Sequence, residues 1–236
     1  MLFFCFSRPL HTSILLALLY ISSTICTPIL AQATPMPNVF INEIHYDNIG
    51  GDSNEYVEIV SDASIDLTDW SLLLYNGNNG ERYNSFGFYL WSYTGSRTQF
   101  DFFTIETQGI QNGSPDGIAL FNGVDVIQFL SYEGNLNATD GIAIGLTSTD
   151  IGVSESNSTP AGYSLQLTGK GSRYSDFVWS LPQVNTFGAM NTGQQFVVPV
   201  SEPNSFSLLL ILLVFIFYSQ RVNSFPIALG FSKRVL

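Results

Sequence analysis

Apolar and polar positions alternate with a period of two in several short runs between residues 39 and 198. At 163–168 the run YSLQLT puts Tyr163, Leu165 and Leu167 on one side and Ser164, Gln166 and Thr168 on the other. That pattern predicts a strand with one face buried and one in solvent. VFINEI (39–44), EYVEIV (55–60) and SLLLY (71–75) read as three further strands, because β-branched and aromatic residues suit a pleated, half-buried surface. In EYVEIV, Glu55, Val57 and Ile59 share one face and Tyr56, Glu58 and Val60 the other. DGIALF (116–121) and VDVIQFL (124–130) flank Asn122 and Gly123; Asn-Gly supports the two positive φ values of a type I′ turn and predicts a tight hairpin. No stretch of this region sustains helical spacing, and Gly and Pro punctuate it throughout. Many short strands at close spacing predict an all-β sandwich or barrel.

The two ends break this pattern. The N-terminus carries Arg8 and His11 ahead of an apolar run at 14–21, and Ala31 and Ala33 flank Gln32 as a small-x-small cleavage site. This is the layout of a secretory signal peptide over residues 1–33, followed by a linker at 34–38 that contains Pro35 and Pro37. Both cysteines, Cys5 and Cys26, lie inside it. A lipoprotein signal wants a small residue before the cysteine, and Ile25 stands there. The processed chain therefore has no cysteine for a disulfide or a thiolate metal site. At the other end, residues 206–218 form a nearly unbroken apolar run. It falls short of the ~20 residues that span a bilayer comfortably, and it reads as a membrane-seeking segment over 199–221. Residues 222–236 form an atypical extension that ends in a basic pair, Lys233 and Arg234, before Val235 and Leu236.

Composition adds the compartment and the charge. Of 236 residues only 11% are charged while 14% are aromatic, which fits an exported all-β protein better than a helical cytosolic one. From 34 to 200 there are four basic residues (Arg82, Arg97, Lys170, Arg173) against eighteen acidic ones, a net charge of −14. Such a surface repels phosphate backbones, so nucleic acid is excluded as a partner, and it attracts cations.

Candidate chemistry is concentrated between residues 39 and 60, where His45 is the sole histidine left after export. The loop at 47–54, DNIGGDSN, is made of turn formers and predicts a hairpin-like connection with solvated carboxylates. Asp47, Asp52, Glu55 and Glu58 are hard oxygen donors of the type Ca²⁺ takes, although the spacing of an EF-hand loop is missing. A single histidine with no thiolate makes a poor zinc site. His45 has no Gly-x-Ser-x-Gly elbow to serve, and no catalytic residue is assigned.

Two family resemblances sharpen the expectation. INEIHYD (41–47), EYVEI (55–59) and DLTDWSL (66–72) follow one another in the order of a lamin-tail domain, and GYSLQL (162–167), Trp179 and FGAMN (187–191) resemble its bacterial subfamily. The resemblance covers most of 39–196. It implies an immunoglobulin-like β-sandwich over 39–198 with a core of Ile41, Ile44, Val57, Ile59, Leu67, Trp70, Leu72, Leu165, Leu167 and Trp179. It transfers no enzymatic residue. Val200, Glu202 and Pro203, then the apolar run and Arg221, are similar to a PEP-CTERM sorting signal, which implies processing by an exosortase-like enzyme. The chain departs from that pattern at Ser201 and in having one arginine after the run.

The expectation is an exported, envelope-anchored, non-catalytic module for binding or display of protein, polysaccharide or surface matrix. Its contact surface would be the loops at 47–54 and 76–85 together with the aromatic stretch 83–103, notably Tyr83, Trp91 and Tyr93. Against the last point, those rings also fit core strands. The rival readings are a small metal-dependent hydrolase or nuclease-associated accessory protein, and a structural component of an extracellular matrix. The expected cofactor is none, or Ca²⁺.

Overall fold

A computed structural model of the chain describes residues 38–97, 99–197 and 205–222. The expected signal peptide, linker residues 34–37, the start of the sorting segment at 199–204 and the extension beyond 222 lie outside the described residues. The alternating runs become strands β1 (Val39–His45), β2 (Tyr56–Asp62), β3 (Ser71–Asn76), β4 (Arg82–Gly87), β5 (Ser92–Arg97), β6 (Phe100–Glu106), β7 (Asp116–Phe121) and β8 (Val126–Tyr132). Then follow β9 (Thr149–Asp150), β10 (Tyr163–Gly171), β11 (Phe177–Trp179), β12 (Gln183–Val184) and β13 (Gln194–Phe196). One α-helix among the described residues, α1, spans Ser205–Val222.

The strands form two sheets. The larger runs β11-β10-β1-β2-β6-β5, with β12 and β13 also pairing with β10; the smaller runs β4-β3-β7-β8-β9. Neighbours are antiparallel except for β8–β9 and β10–β13. Between the sheets lies a core of Ile41, Ile44, Val57, Ile59, Phe103, Ile105 and Leu165 from the larger sheet, and Leu72, Leu74, Ile118, Leu120 and Leu130 from the smaller, closed by Leu67 and Trp70. The chain is therefore an all-β sandwich. Nine of the ten expected core residues are buried, and Trp179 is half-buried, its Nε1–H donating to the Tyr174 hydroxyl at 3.0 Å.

A β-bulge in β1 reconciles Ile41 with Ile44. Ile41 pairs with Ile59 and Glu43 with Glu58, so Asn42 is an extra residue. A strict period of two would send residues 41 and 44 to opposite faces; the bulge returns Ile44 to the core and leaves Asn42 and Glu43 on the outer side.

Both sheets are covered over part of their outer faces. Phe40, Val60, Phe100, Phe102 and Leu167 form a second apolar cluster with Phe177, and Phe196 packs onto it. The outer side of the smaller sheet, with Leu73, Tyr75, Ala119 and Phe129, is covered by Leu136, Ala138 and Ala143. This overturns the one-sided reading of 163–168: Ser164 and Gln166 are as buried as Leu165 and Leu167. The returning segment covers the face that alternation assigned to water.

The hairpin at 122–123 also differs from expectation. The turn runs from Asn122 to Asp125, with Gly123 alone at positive φ (+92°). The Asn122 Oδ1 accepts the amides of Val124 and Asp125 at 2.9 and 2.6 Å. The side chain replaces the backbone geometry of a type I′ turn, as asparagine does in Asx turns. The apolar tail does form a helix, but at 18 residues it is about 27 Å long against a hydrocarbon core of about 30 Å. No helix among the described residues is long and apolar enough to cross a membrane.

Candidate functional site

The chemistry anticipated between residues 39 and 60 separates into three places. The first centres on Glu155, in the long connection between β9 and β10. Its carboxylate accepts the Tyr46 amide at 2.6 Å and the Asp47 amide at 3.0 Å, and contacts His45 Nδ1 at 3.0 Å. The Tyr46 hydroxyl accepts the Glu155 amide at 2.8 Å, and its own proton reaches Glu133 at 3.0 Å. The Tyr46 ring stacks on Tyr132 at 3.8 Å. His45 is 1% exposed, and its other nitrogen, Nε2, lies 3.2 Å from the Ser53 carbonyl. Burial by itself would lower the His45 pKa; the hydrogen bond and charge of Glu155 outweigh it and raise the value. With an acceptor beside each nitrogen, the protonated ring can donate from both sides, which favours that form.

The second place is the outer face of β1, β2 and β10. Glu43 accepts bonds from the Ser164 hydroxyl, the Gln166 amide and, from the returning segment, the Thr186 amide and hydroxyl at 2.8 and 2.9 Å. Glu58 accepts Asn42 Nδ2 at 2.8 Å and the Gly188 amide at 2.6 Å. Asn191 completes the layer, donating to the carbonyls of Asn42 and Leu167 at 3.0 Å each. Burial, then the neighbouring Glu43 charge, pushes Glu58 up to about 8, and burial raises Glu43 as well. Glu43, with more donors, carries the charge, and Glu58 holds the proton at neutral pH. These acids are interior and not solvated.

The third place is the loop at 47–54. Asn48 is buried and organises it: Nδ2 donates to the carbonyls of Ile49 and Gly51 at 3.0 and 3.3 Å, and Oδ1 accepts the Ser53 amide at 3.1 Å. Asp47 and Asp52 meet here. Glu55 points away, accepting the amides of Gly109 and Ile110, and Glu58 belongs to the second place. The four expected calcium donors do not converge, and no group of three or more His, Cys, Asp or Glu side chains able to hold a metal exists among the described residues.

The aromatic expectation divides in the same way. Trp91 is a core residue, its Nε1–H donating to the Phe86 carbonyl at 3.1 Å, and its ring meets Phe88 edge-on at 5.6 Å. Tyr83 packs against the core, its hydroxyl accepting the Gln111 amide at 2.9 Å. Tyr93 is 59% exposed and leans on Phe103. Tyr89, in the same aromatic stretch, is 86% exposed. Its ring lies over Gly87, where a Cβ would meet it at 2.8 Å. A groove of about 420 Å³ is lined by Tyr56, Phe86, Leu90, Ser92, Thr104 and Glu106. The loop at 76–85 contributes Asn76 and Asn78 to a separate cleft of about 280 Å³ with Gln111 and Asn112.

Glu155, Thr186 and Asn191 were missed because each acts across more than 100 residues of chain. The only sequence signal was the polar face of 163–168, whose Ser164 and Gln166 serve Glu43.

No family model, curated protein or solved structure matches this chain.

Proposed function

We propose that the chain is an exported, immunoglobulin-like sandwich of the lamin-tail type, held at the cell envelope by its apolar tail, that binds extracellular polysaccharide and performs no catalysis. The observation that carries this reading is a half-polar groove with Tyr56 and Phe86 in its lining and Ser92, Thr104 and Glu106 as hydrogen-bonding groups. Flat rings with polar neighbours suit the apolar faces and hydroxyls of sugars. The net charge of −14 from 34 to 200 disfavours anionic polymers and nucleic acid, so the polysaccharide is neutral or cationic.

The buried acids support the non-catalytic half of the reading. His45 is enclosed with both nitrogens engaged, and Glu43 and Glu58 face a covering segment. None of the three can reach a substrate without unfolding that cover.

The test is affinity electrophoresis of the full chain through gels containing neutral, cationic and anionic polysaccharides. Retardation by the neutral or cationic gels is expected. A stacked ring is worth about 0.5–1.5 kcal/mol, so Tyr56→Ala, which removes a ring of the groove lining, should bind several-fold more weakly. Retention equal to wild type in that variant refutes the groove. Metal-dependent hydrolysis of phosphodiesters by the purified protein refutes the non-catalytic assignment.

A further inference from the structure

Asp47 is 4% exposed, and its Oδ1 is buried without a hydrogen-bond partner. A bare carboxylate oxygen in that position costs the full desolvation of the group. The carboxyl is also in hydrogen-bonding contact with a second carboxyl, Asp52, and with the Asn112 amide group. The Asn112 Nδ2 is already committed to Asp52 Oδ2 at 3.0 Å. Glu155 adds a third negative charge nearby, but it is matched by His45 and by two backbone amides. Asp52 accepts the Asn48 amide at 3.4 Å and Asn112 Nδ2 at 3.0 Å, whereas Asp47 Oδ1 has no donor. Two carboxylates are pressed together at the end of the sandwich with one oxygen bare.

We infer that the Asp47–Asp52 pair is a calcium site, with Asn112 as a neighbouring amide ligand and loop carbonyls and water completing the shell. The donors are hard oxygens with no nitrogen or sulfur ligand in the group, which selects against zinc and copper. Ca²⁺ accepts irregular shells of carboxylate, amide, carbonyl and water, whereas Mg²⁺ requires a near-ideal octahedron and keeps most of its water. Residues 49–54 of the loop, Asp52 among them, are exposed while Asp47 is not, so an ion would approach from the side of Asp52. The Asn48 bonds already described hold the loop in shape before the ion arrives, which lowers the ordering cost of binding. The donor set differs from the one sequence suggested: Asp47 and Asp52 remain, Glu55 and Glu58 drop out, and Asn112 joins from the connection between β6 and β7. An ion here would tie the loop after β1 to that connection.

Thermal unfolding of the full chain decides the matter. Samples hold chelator, about 5 mM Ca²⁺, or Mg²⁺ at equal ionic strength, a calcium level suited to the 10⁻⁴–10⁻³ M affinities of extracellular modules. A ligand that binds only the folded state raises the melting temperature, here by several degrees. Calcium should raise it, magnesium should not, and Asp47→Asn should abolish the response. Asp52 is exposed, so Asp52→Asn keeps the fold and should abolish it as well. Tb³⁺ luminescence sensitised by Tyr46, displaced by Ca²⁺ and lost in both variants, gives the same answer without relying on stability. A wild-type melting point that ignores calcium, or a rise shared equally by magnesium or by the two variants, overturns the site.

Discussion

The buried pair Glu43–Glu58 makes a quantitative claim about pH. The folded protein lifts the Glu58 pKa from an ordinary 4.5 to about 8, so it binds that proton more tightly than the unfolded chain does. The stability associated with the proton is fully present below pH 4.5 and is lost as pH rises through about 8. Every tenfold gain in proton affinity is worth about 1.4 kcal/mol, so the rise from 4.5 to about 8 amounts to about 5 kcal/mol across the window, falling near 1.4 kcal/mol per pH step in its middle. That is comparable with the whole stability of a small domain. The perturbation that isolates it is Glu58→Gln, which fixes the neutral form. The glutamine oxygen can accept the Gly188 amide, but its NH₂ then faces Asn42 Nδ2, whose Oδ1 already serves Gln194 at 2.6 Å. That mismatch costs about 1 kcal/mol at every pH. Urea unfolding of both proteins at regular steps from about pH 4 to about pH 9 is the assay. The wild type should be the more stable below about pH 5, and the variant should overtake it and lead by several kcal/mol at about pH 9. Raised His45 contributes a loss of the same sign, but in both proteins, so the difference curve reports Glu58. A difference that stays flat across the range would show that Glu58 ionises in the fold as readily as in the unfolded chain, and the account of the polar layer would fail.

Other outcomes follow from the same contacts. Trp70→Ala, in the core between the sheets, should lower unfolding free energy by about 3–5 kcal/mol in urea titrations. Glu155→Ala strands the amides of Tyr46 and Asp47 and a charged His45; a loss of about 3–5 kcal/mol is expected, with amide exchange quickening first at residues 46–54.

Much of the inner core was legible in the sequence. Val57, Ile59 and Leu165 sit where alternation puts buried residues, because a period of two needs nothing beyond the strand itself. Ile41 and Ile44 obeyed no such period, and only the bulge at Asn42 explains how both reach the inside. The outer faces were not legible. Serine and glutamine at 164 and 166 look identical on paper whether they meet water or a returning backbone. The fate of Glu43 and Glu58 was hidden for the same reason: their partners are Thr186 and Gly188, and a distant segment leaves no mark on the local pattern. For the candidate sites, donor type could be read but convergence could not. Asp47 and Asp52 are near in sequence and meet; Glu55 is also near but turns to the backbone of Gly109. Tyr89 and Trp91 lie in one aromatic run, yet one is exposed and the other is core.

The polar layer also specifies how the covering segment sits. An apolar cover, as at Phe177 and Phe196, is indifferent to small slips, since dispersion and desolvation are non-directional. Carboxylates are not indifferent. Glu43 requires the Thr186 amide and hydroxyl together, and Glu58 requires the Gly188 amide. A shift of the 183–194 segment by one residue would take the Thr186 donors from Glu43 and the Gly188 amide from Glu58, at about 1–3 kcal/mol for each buried group left short of a donor. Asn191 adds a third constraint by reaching carbonyls on two strands at once. The acids that most resembled a catalytic or metal constellation in the sequence therefore set the register of the covering segment. The cover does not reach every side chain: Tyr89, Tyr93 and the loop residue Asp52 stay exposed.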